Sequence, residues 1–204
     1  MFSFYKNDFF SKDKFLEIKK FVLENSSDLT QLEYSESFGR YYKYVVLPES
    51  IKSHILDAAK TEIKSQDIDI AYCQIVRYQP KDGIIPEIVE HRDIVTGVYV
   101  MDISIDGTVN WPLKIEGSSI DCIPNSVIFL RGELDAHKRD PFPSANEDDF
   151  LLLLFVHLAP TDSHYMKLSK ELYGMKQEDI NAFFKAVKPI WRNQDQDSSL
   201  NEKL

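Results

Sequence analysis

The sequence predicts a mainly β fold with flanking helices. Two observations carry this. Between Ile68 and Ala159 the chain is a run of short segments rich in Val, Ile, Tyr and Phe, broken by turns bearing Gly, Pro and Asp. On either side of that region, apolar residues recur at helical spacing instead. Strands that succeed one another without helices between them point to an antiparallel sandwich or barrel, not a βαβ array. The 204 residues suit one domain. The predicted organisation is a single domain over 1–192, with a helical N-terminal part (1–66), a β core (67–160) and C-terminal helices (161–192). The polar stretch 193–204 is expected to be a disordered tail.

Taken in order, SKDKFLEIKKFVLEN places Phe15, Ile18 and Val22 on one helical face, with Phe21 at its edge and Ser11 as N-cap. ESIKSHILDAAKTEIKS, behind Pro48, repeats the pattern with Ile51, Ile55, Ala58, Ala59 and Ile63. His54 lies in this helix, where a histidine is ordinarily a surface or boundary residue. DIDIAYCQIVRYQP reads as a strand that ends in the turn Pro80-Lys81-Asp82-Gly83. TGVYVMDIS is a strand closed by Asp106-Gly107, and WPLKIEG is a short one. NSVIFLRGE is launched from Pro124-Asn125, and DFLLLLFVHLA is the last and most apolar. KLSKELYGM and QEDINAFFKAVKPIW read as helices, the second with acidic residues in its first turn.

Charge and cysteine usage narrow the function classes. With 24 Lys+Arg against 33 Asp+Glu the formal net charge is −9. Such a chain gets no electrostatic help toward nucleic acid or anionic membrane. Cys73 and Cys122 form neither a C-x-x-C motif nor a disulfide framework, and are expected as buried small hydrophobes in a reduced compartment. Charges come too early at the N-terminus for a signal peptide, and no apolar run reaches membrane-span length. A soluble cytoplasmic protein is the expectation. The oligomeric state is left open.

His91-Arg92-Asp93 carries the chemistry. As the start of a kinase catalytic loop it would need an Asn five residues after Asp93, where Val98 stands. No glycine-rich phosphate loop, Val-Ala-Ile-Lys strand or Asp-Phe-Gly accompanies it. As a metal motif it needs less. Residues two apart on a strand share a face, so His91 and Asp93 would point together. An imidazole and a carboxylate make two-thirds of the facial site that binds Fe(II) and leaves positions open. Of five histidines, His137 is the best third ligand, since it follows a strong strand and a glycine-bearing turn. His157 competes, but is more simply a residue at the end of a core strand. His164 lies just beyond that strand.

The segments CQIVRYQPKDGIIPEIVEHRDIVTGVYVMDIS, IDCIPNSVIFLRGELDAHKRDPF and FLLLLFVHLA together resemble the Fe(II)/2-oxoglutarate-dependent oxygenases, with a prolyl-hydroxylase-like H-x-D…H pattern. The likeness rests on Arg77-Tyr78, His91-x-Asp93, Thr96 to Val100, and Pro124, Phe129, Gly132 and His137, and covers about residues 72 to 159. It implies a double-stranded β-helix (jelly-roll) core with iron on His91, Asp93 and His137. It also implies 2-oxoglutarate and O2 as cosubstrates and hydroxylation of a C–H bond in a small molecule, amino acid or peptide. An aspartate rather than Gly or Ala at 93 favours hydroxylation over halogenation.

One feature departs from the family pattern. The Lys or Arg usual after the distal histidine, which pairs with the far carboxylate of 2-oxoglutarate, is missing from 140–160, where Glu147, Asp148 and Asp149 stand. Arg139, two residues after His137, is the candidate replacement, with a surface ion pair as its alternative role. Arg131 and Arg77 are weaker candidates. Tyr78 and Tyr72 are candidate hydrogen-bond partners of the cosubstrate, and Trp111 is expected to be packing. The rival functions are a non-catalytic jelly-roll binding module with a vestigial metal site, or a metal enzyme on the same barrel that does not use 2-oxoglutarate.

Overall fold

The computed structural model describes residues 4–93, 99–132, 134–163 and 166. The predicted C-terminal helices, the tail, His164 and the start of the strand at Thr96 lie outside these residues. Near the N-terminus come β1 (Phe4–Lys6), α1 (Lys12–Ser26), β2 (Glu33–Ser35), β3 (Arg40–Val45) and α2 (Glu49–Ile63). The core follows with β4 (Ile68–Tyr78), β5 (Ile88–His91), β6 (Tyr99–Gly107), β7 (Leu113–Ile115) and β8 (Ser118–Ile120). It closes with β9 (Val127–Leu130), β10 (His137–Arg139) and β11 (Leu151–Pro160). No helix of the described residues is long and apolar enough to cross a membrane.

The strands form two antiparallel sheets, a seven-stranded one in the order β1-β9-β6-β11-β4-β3-β2 and a four-stranded one in the order β5-β10-β7-β8. This is the jelly-roll arrangement expected. The large sheet is packed on both faces. Leu152, Leu154, Val156 and Leu158 of β11 pack with Ile18 and Val22 of α1 and with Ile51, Ile55 and Ala59 of α2. Leu151 and Leu153 face the other way, toward Leu113 and Ile115 of the small sheet. Burial on both faces explains why β11 reads as an unbroken apolar run instead of an alternating one. Each such side chain, taken from water, contributes about 1.5–3 kcal/mol.

The N-terminal part is not only helical. β1 extends one edge of the large sheet through β9, while β2 and β3 extend the other through β4. These strands escape a sequence search because they are short and mostly half-buried, so they lack a clean alternation. Tyr34 and Tyr41 pack as a cross-strand pair with centroids 4.8 Å apart, and the Tyr42 hydroxyl donates to Glu33 at 2.6 Å. Ser11 stands before α1 as predicted, but its side chain makes no capping bond. The turn predicted at Pro80-Lys81-Asp82-Gly83 forms one residue later, over Lys81–Ile84, with Asp82 (φ 52°) and Gly83 (φ 80°) both left-handed.

Asn125 ties the N-terminal segment to the core. At φ 66° it turns the chain into β9, and its side-chain amide accepts from Phe10 N–H (3.0 Å) and donates to Phe10 C=O (2.9 Å). Both bonds are buried. Asn125→Ala is therefore expected to destabilise the protein by about 2–4 kcal/mol, since two buried main-chain groups lose their partner. Urea unfolding of the two proteins checks this; a difference below about 0.5 kcal/mol would refute the role.

Candidate metal centre

The centre begins with strand pairing. β10 runs antiparallel to β5 in the small sheet, and His137 lies opposite His91. Their ring centroids are 4.4 Å apart. Asp93 arrives differently from the sequence argument. β5 ends at His91, so Asp93 is not on the strand and the shared-face reasoning does not apply to it. Instead its N–H donates to Gly132 C=O at 2.7 Å, which pulls the chain back beside the histidines. Gly132 belongs to the loop between β9 and β10.

One donor atom from each of His91, Asp93 and His137 lies within 4.8 Å of the others. His91 Nε2 is 3.5 Å and His137 Nε2 is 3.7 Å from the same carboxylate oxygen of Asp93. Each ring has its Nδ1 at a main-chain carbonyl, His91 at Val89 (2.9 Å) and His137 at Asp135 (3.0 Å). With Nδ1–H donating to those carbonyls, each Nε2 is left as the lone-pair donor, the usual support of a metal-binding histidine. Two imidazoles and one carboxylate are the donor set of a facial Fe(II) site. The residues fit the metal.

The other candidate residues fall into different places. Arg131 is engaged in its own loop: its N–H and Nε–H donate to the Asp135 carboxylate at 2.7 and 3.1 Å. It thereby holds the residue whose carbonyl orients His137. Arg139 is 1% exposed, which excludes a surface ion pair. Its Nη1 donates to Trp111 C=O and to Cys122 Sγ (3.3 Å), and its guanidinium lies 5.1 Å from the Trp111 ring. Its Nη2 is buried with no hydrogen-bond partner. Trp111 is packing, as expected, but packing beneath this arginine. Tyr78 is buried beside it, its ring edge-on to Trp111 at 5.0 Å. Tyr72 stacks on His157 at 4.0 Å. Arg77 lies over Phe150 with Nε bonded to Gln79, and His54 pairs with Glu17 on the helices. Glu147 and Asp149 take loop contacts ahead of β11, with Asp82 N–H and the Ser144 hydroxyl. Cys73 and Cys122 are free and buried.

The interior between the sheets holds three further groups that the sequence reading missed or set aside. Asp102 of β6 is 5% exposed; burial pushes its carboxyl up to about 7, against the pull of Arg139. His157 of β11 is pushed down to about 4 by burial, and its Nδ1 has no partner. Arg40 of β3 donates from Nη1 to the Tyr78 hydroxyl at 3.1 Å. For His91, burial disfavours the charged ring, yet the bonds to Asp93 and the Val89 carbonyl prevail and raise its pKa. His137 is held down, chiefly by burial. Burial works against the Asp93 carboxylate, but the His91 bond and the charges of His137 and His157 keep its pKa low. Asp102 had a signal available: an acid on the inward side of YVMDISI. Arg40 had none, because its strand is not legible.

No protein-family model matches the sequence, and a search of curated proteins finds no relative. Solved structures do match. A viral collagen prolyl hydroxylase, vCPH from Paramecium bursaria Chlorella virus-1, in complex with 2-oxoglutarate, is similar with TM-score 0.56 at 10% identity, over 78% of this chain and 95% of that one. The non-haem α-ketoglutarate-dependent epimerase SnoN from nogalamycin biosynthesis gives 0.59 at 8% identity, over 81% and 83%. HygX from Streptomyces hygroscopicus, with nickel and 2-oxoglutarate bound, gives 0.55 at 10% identity, over 79% and 84%. At such identities the likeness establishes the fold alone: the chain has a jelly-roll core like that of these structures.

Asp102 gives a stability test with a definite sign. Its folded-state pKa is raised from 3.8 to about 7, so between those values the folded protein keeps a proton that the unfolded chain releases. The contribution is present at low pH and is lost as pH rises through 7. Asp102→Asn cannot ionise. In metal-free protein, the variant is therefore expected to gain on the wild type by about 2–3 kcal/mol between pH 5 and pH 8. Denaturant unfolding at both pH values measures this, and a pH-independent difference contradicts it. The shift of His157 is common to both proteins and cancels.

Proposed function

We propose that this protein is a non-haem Fe(II)/2-oxoglutarate-dependent dioxygenase that hydroxylates a C–H bond of a small molecule, amino acid or peptide. The observation that carries the proposal is the convergence of His91, Asp93 and His137, with both Nδ1 atoms taken up by main-chain carbonyls. In this reading His91 Nε2, His137 Nε2 and an Asp93 oxygen hold the iron. If Asp93 holds the metal, its carboxylate would take the place that a halide would need, which favours hydroxylation over halogenation. Bound iron, with 2-oxoglutarate and O2, supplies the oxidant that replaces C–H by C–OH.

Arg139 takes the far carboxylate of 2-oxoglutarate in place of the absent basic residue after the distal histidine. Three features support that role. The guanidinium is braced by Trp111 and Cys122, one of its donors has no partner, and it sits on the strand that carries His137. A braced fork loses little freedom on binding and meets a carboxylate in a fixed geometry. Tyr78 lies beside it as a second donor, and Tyr72 on His157 walls the same interior. Burial of Arg139 also weakens the case for a vestigial module, which rested on the lack of a basic anchor.

Anaerobic protein mixed with Fe(II) and 2-oxoglutarate is expected to give a metal-to-ligand charge-transfer band. Asp93→Ala and His137→Ala should abolish the band and turnover alike. Arg139→Met, which keeps most of the volume, should retain Fe(II) binding but weaken 2-oxoglutarate by about 30- to 1,000-fold. Absence of the band in the wild type sinks the 2-oxoglutarate assignment, and full turnover by Asp93→Ala sinks the triad.

A further inference from the structure

We propose that Arg40 is a second anion site in the same interior and selects a small-molecule substrate bearing a free carboxylate. The inference rests on the assignment of Arg139 to the cosubstrate. Arg40 opens β3 directly after Gly39, which has φ +58° and lies so close to Pro86 that a Cβ would fall 2.7 Å from Pro86 Cα. Main-chain contact thus sets where the arginine starts. Its guanidinium lies 4.7 Å from the Phe38 ring, and Nη1 is spent on the Tyr78 hydroxyl. Its Nε is buried with no hydrogen-bond partner, and no carboxylate among the described residues forms an ion pair with it. A buried guanidinium donor without a partner is disfavoured unless a ligand completes it.

Arg40 lies near enough to the metal centre for its charge to act on Asp93, His91, Asp102 and His157. Tyr78 stands between the two arginines. It accepts from Arg40 on the large sheet, and its ring meets Trp111, over which Arg139 of the small sheet lies. Two unpartnered guanidinium donors therefore flank one tyrosine. 2-Oxoglutarate whose far carboxylate is held by Arg139 would satisfy one of them and leave the other. Charge leads to the same conclusion. A divalent metal, the Asp93 carboxylate, dianionic 2-oxoglutarate and Arg139 together sum to zero, and burial favours the protonated, neutral form of Asp102, which leaves Arg40 as an uncompensated cation. A carboxylate on the substrate neutralises it; a neutral substrate, or the interior of a peptide, does not.

The test uses the full chain loaded with Ni(II) and 2-oxoglutarate. The probes are the free proteinogenic amino acids and a set of aliphatic and aromatic monocarboxylates, each beside its primary amide. Thermal shift finds the binders, and calorimetry gives their affinities and that of 2-oxoglutarate. At least one acid is expected to bind about 30-fold or more tightly than its amide. Arg40→Gln should remove that preference while 2-oxoglutarate affinity stays within about threefold, and Arg40→Lys should recover part of it. The proposal is overturned if no acid binds, if amides bind as well as acids, or if Arg40→Gln keeps the preference. The wild-type comparison of acid with amide stands even if a variant fails to fold. Loss of 2-oxoglutarate binding in Arg40→Gln but not in Arg139→Met would make Arg40 the cosubstrate anchor and overturn both assignments. Failure of the wild type to bind 2-oxoglutarate would instead refute the proposed function, separately from acid recognition.

Discussion

Antiparallel pairing of β5 with β10 sets His137 across from His91, and the geometry of the centre depends on that register. A slip of one residue would turn one imidazole to the other face of the small sheet and separate the pair. The two loops at the His91/His137 end of the pairing hold it. Asp93 is tied to Gly132, Arg92 Nε donates to Leu134 C=O at 3.2 Å, and Arg131 clamps Asp135, whose carbonyl orients His137. The three donor side chains thus sit on a short ladder closed by main-chain and ionic contacts. Such support lets a site keep its shape before any ligand arrives.

The large sheet supplies the rigid wall behind this ladder. Its outer face is sealed by α1 and α2 through aliphatic contacts, so its inner face can carry unusual residues without loss of the fold. Asp102, His157 and Arg40 occupy that inner face beside Val100, Val76 and Leu153. Polar groups at such depth disfavour folding unless they are partnered, and the orphaned nitrogens of Arg40, Arg139 and His157 mark where this interior departs from a simple core. These residues are better explained by a ligand than by stability.

Much of this was legible. The helices at Lys12–Ser26 and Glu49–Ile63, the long strands around Cys73, Asp102 and Leu154, and the turn at Asp82-Gly83 all followed from periodicity and turn chemistry. Where the local signal is weak, the strands were missed: β1 to β3 are short or half-buried, and β8 is exposed or half-buried at the edge of the small sheet. His91, Asp93 and His137, singled out together in the sequence, lie side by side in the fold, although Asp93 reaches the histidines through a loop contact and not through the period of a strand. Arg139 was a candidate from the family resemblance and its spacing from His137; its burial and its bracing by Trp111 depend on contacts between segments nearly thirty residues apart.

The sequence by itself determined the antiparallel β core and its flanking helices, since apolar periodicity, apolar runs and turn residues are local properties; the jelly-roll was implied by the resemblance to the oxygenases. It also determined which residue types could bind a metal, because few histidines stand beside such strands. Only the tertiary structure decided how Asp93 returns to the histidines, that Arg131 is spent on Asp135, and that Arg40 joins the interior from a distant strand. The reason is physical. Those outcomes are set by which donor finds which acceptor across the fold, and a linear pattern carries no record of that pairing.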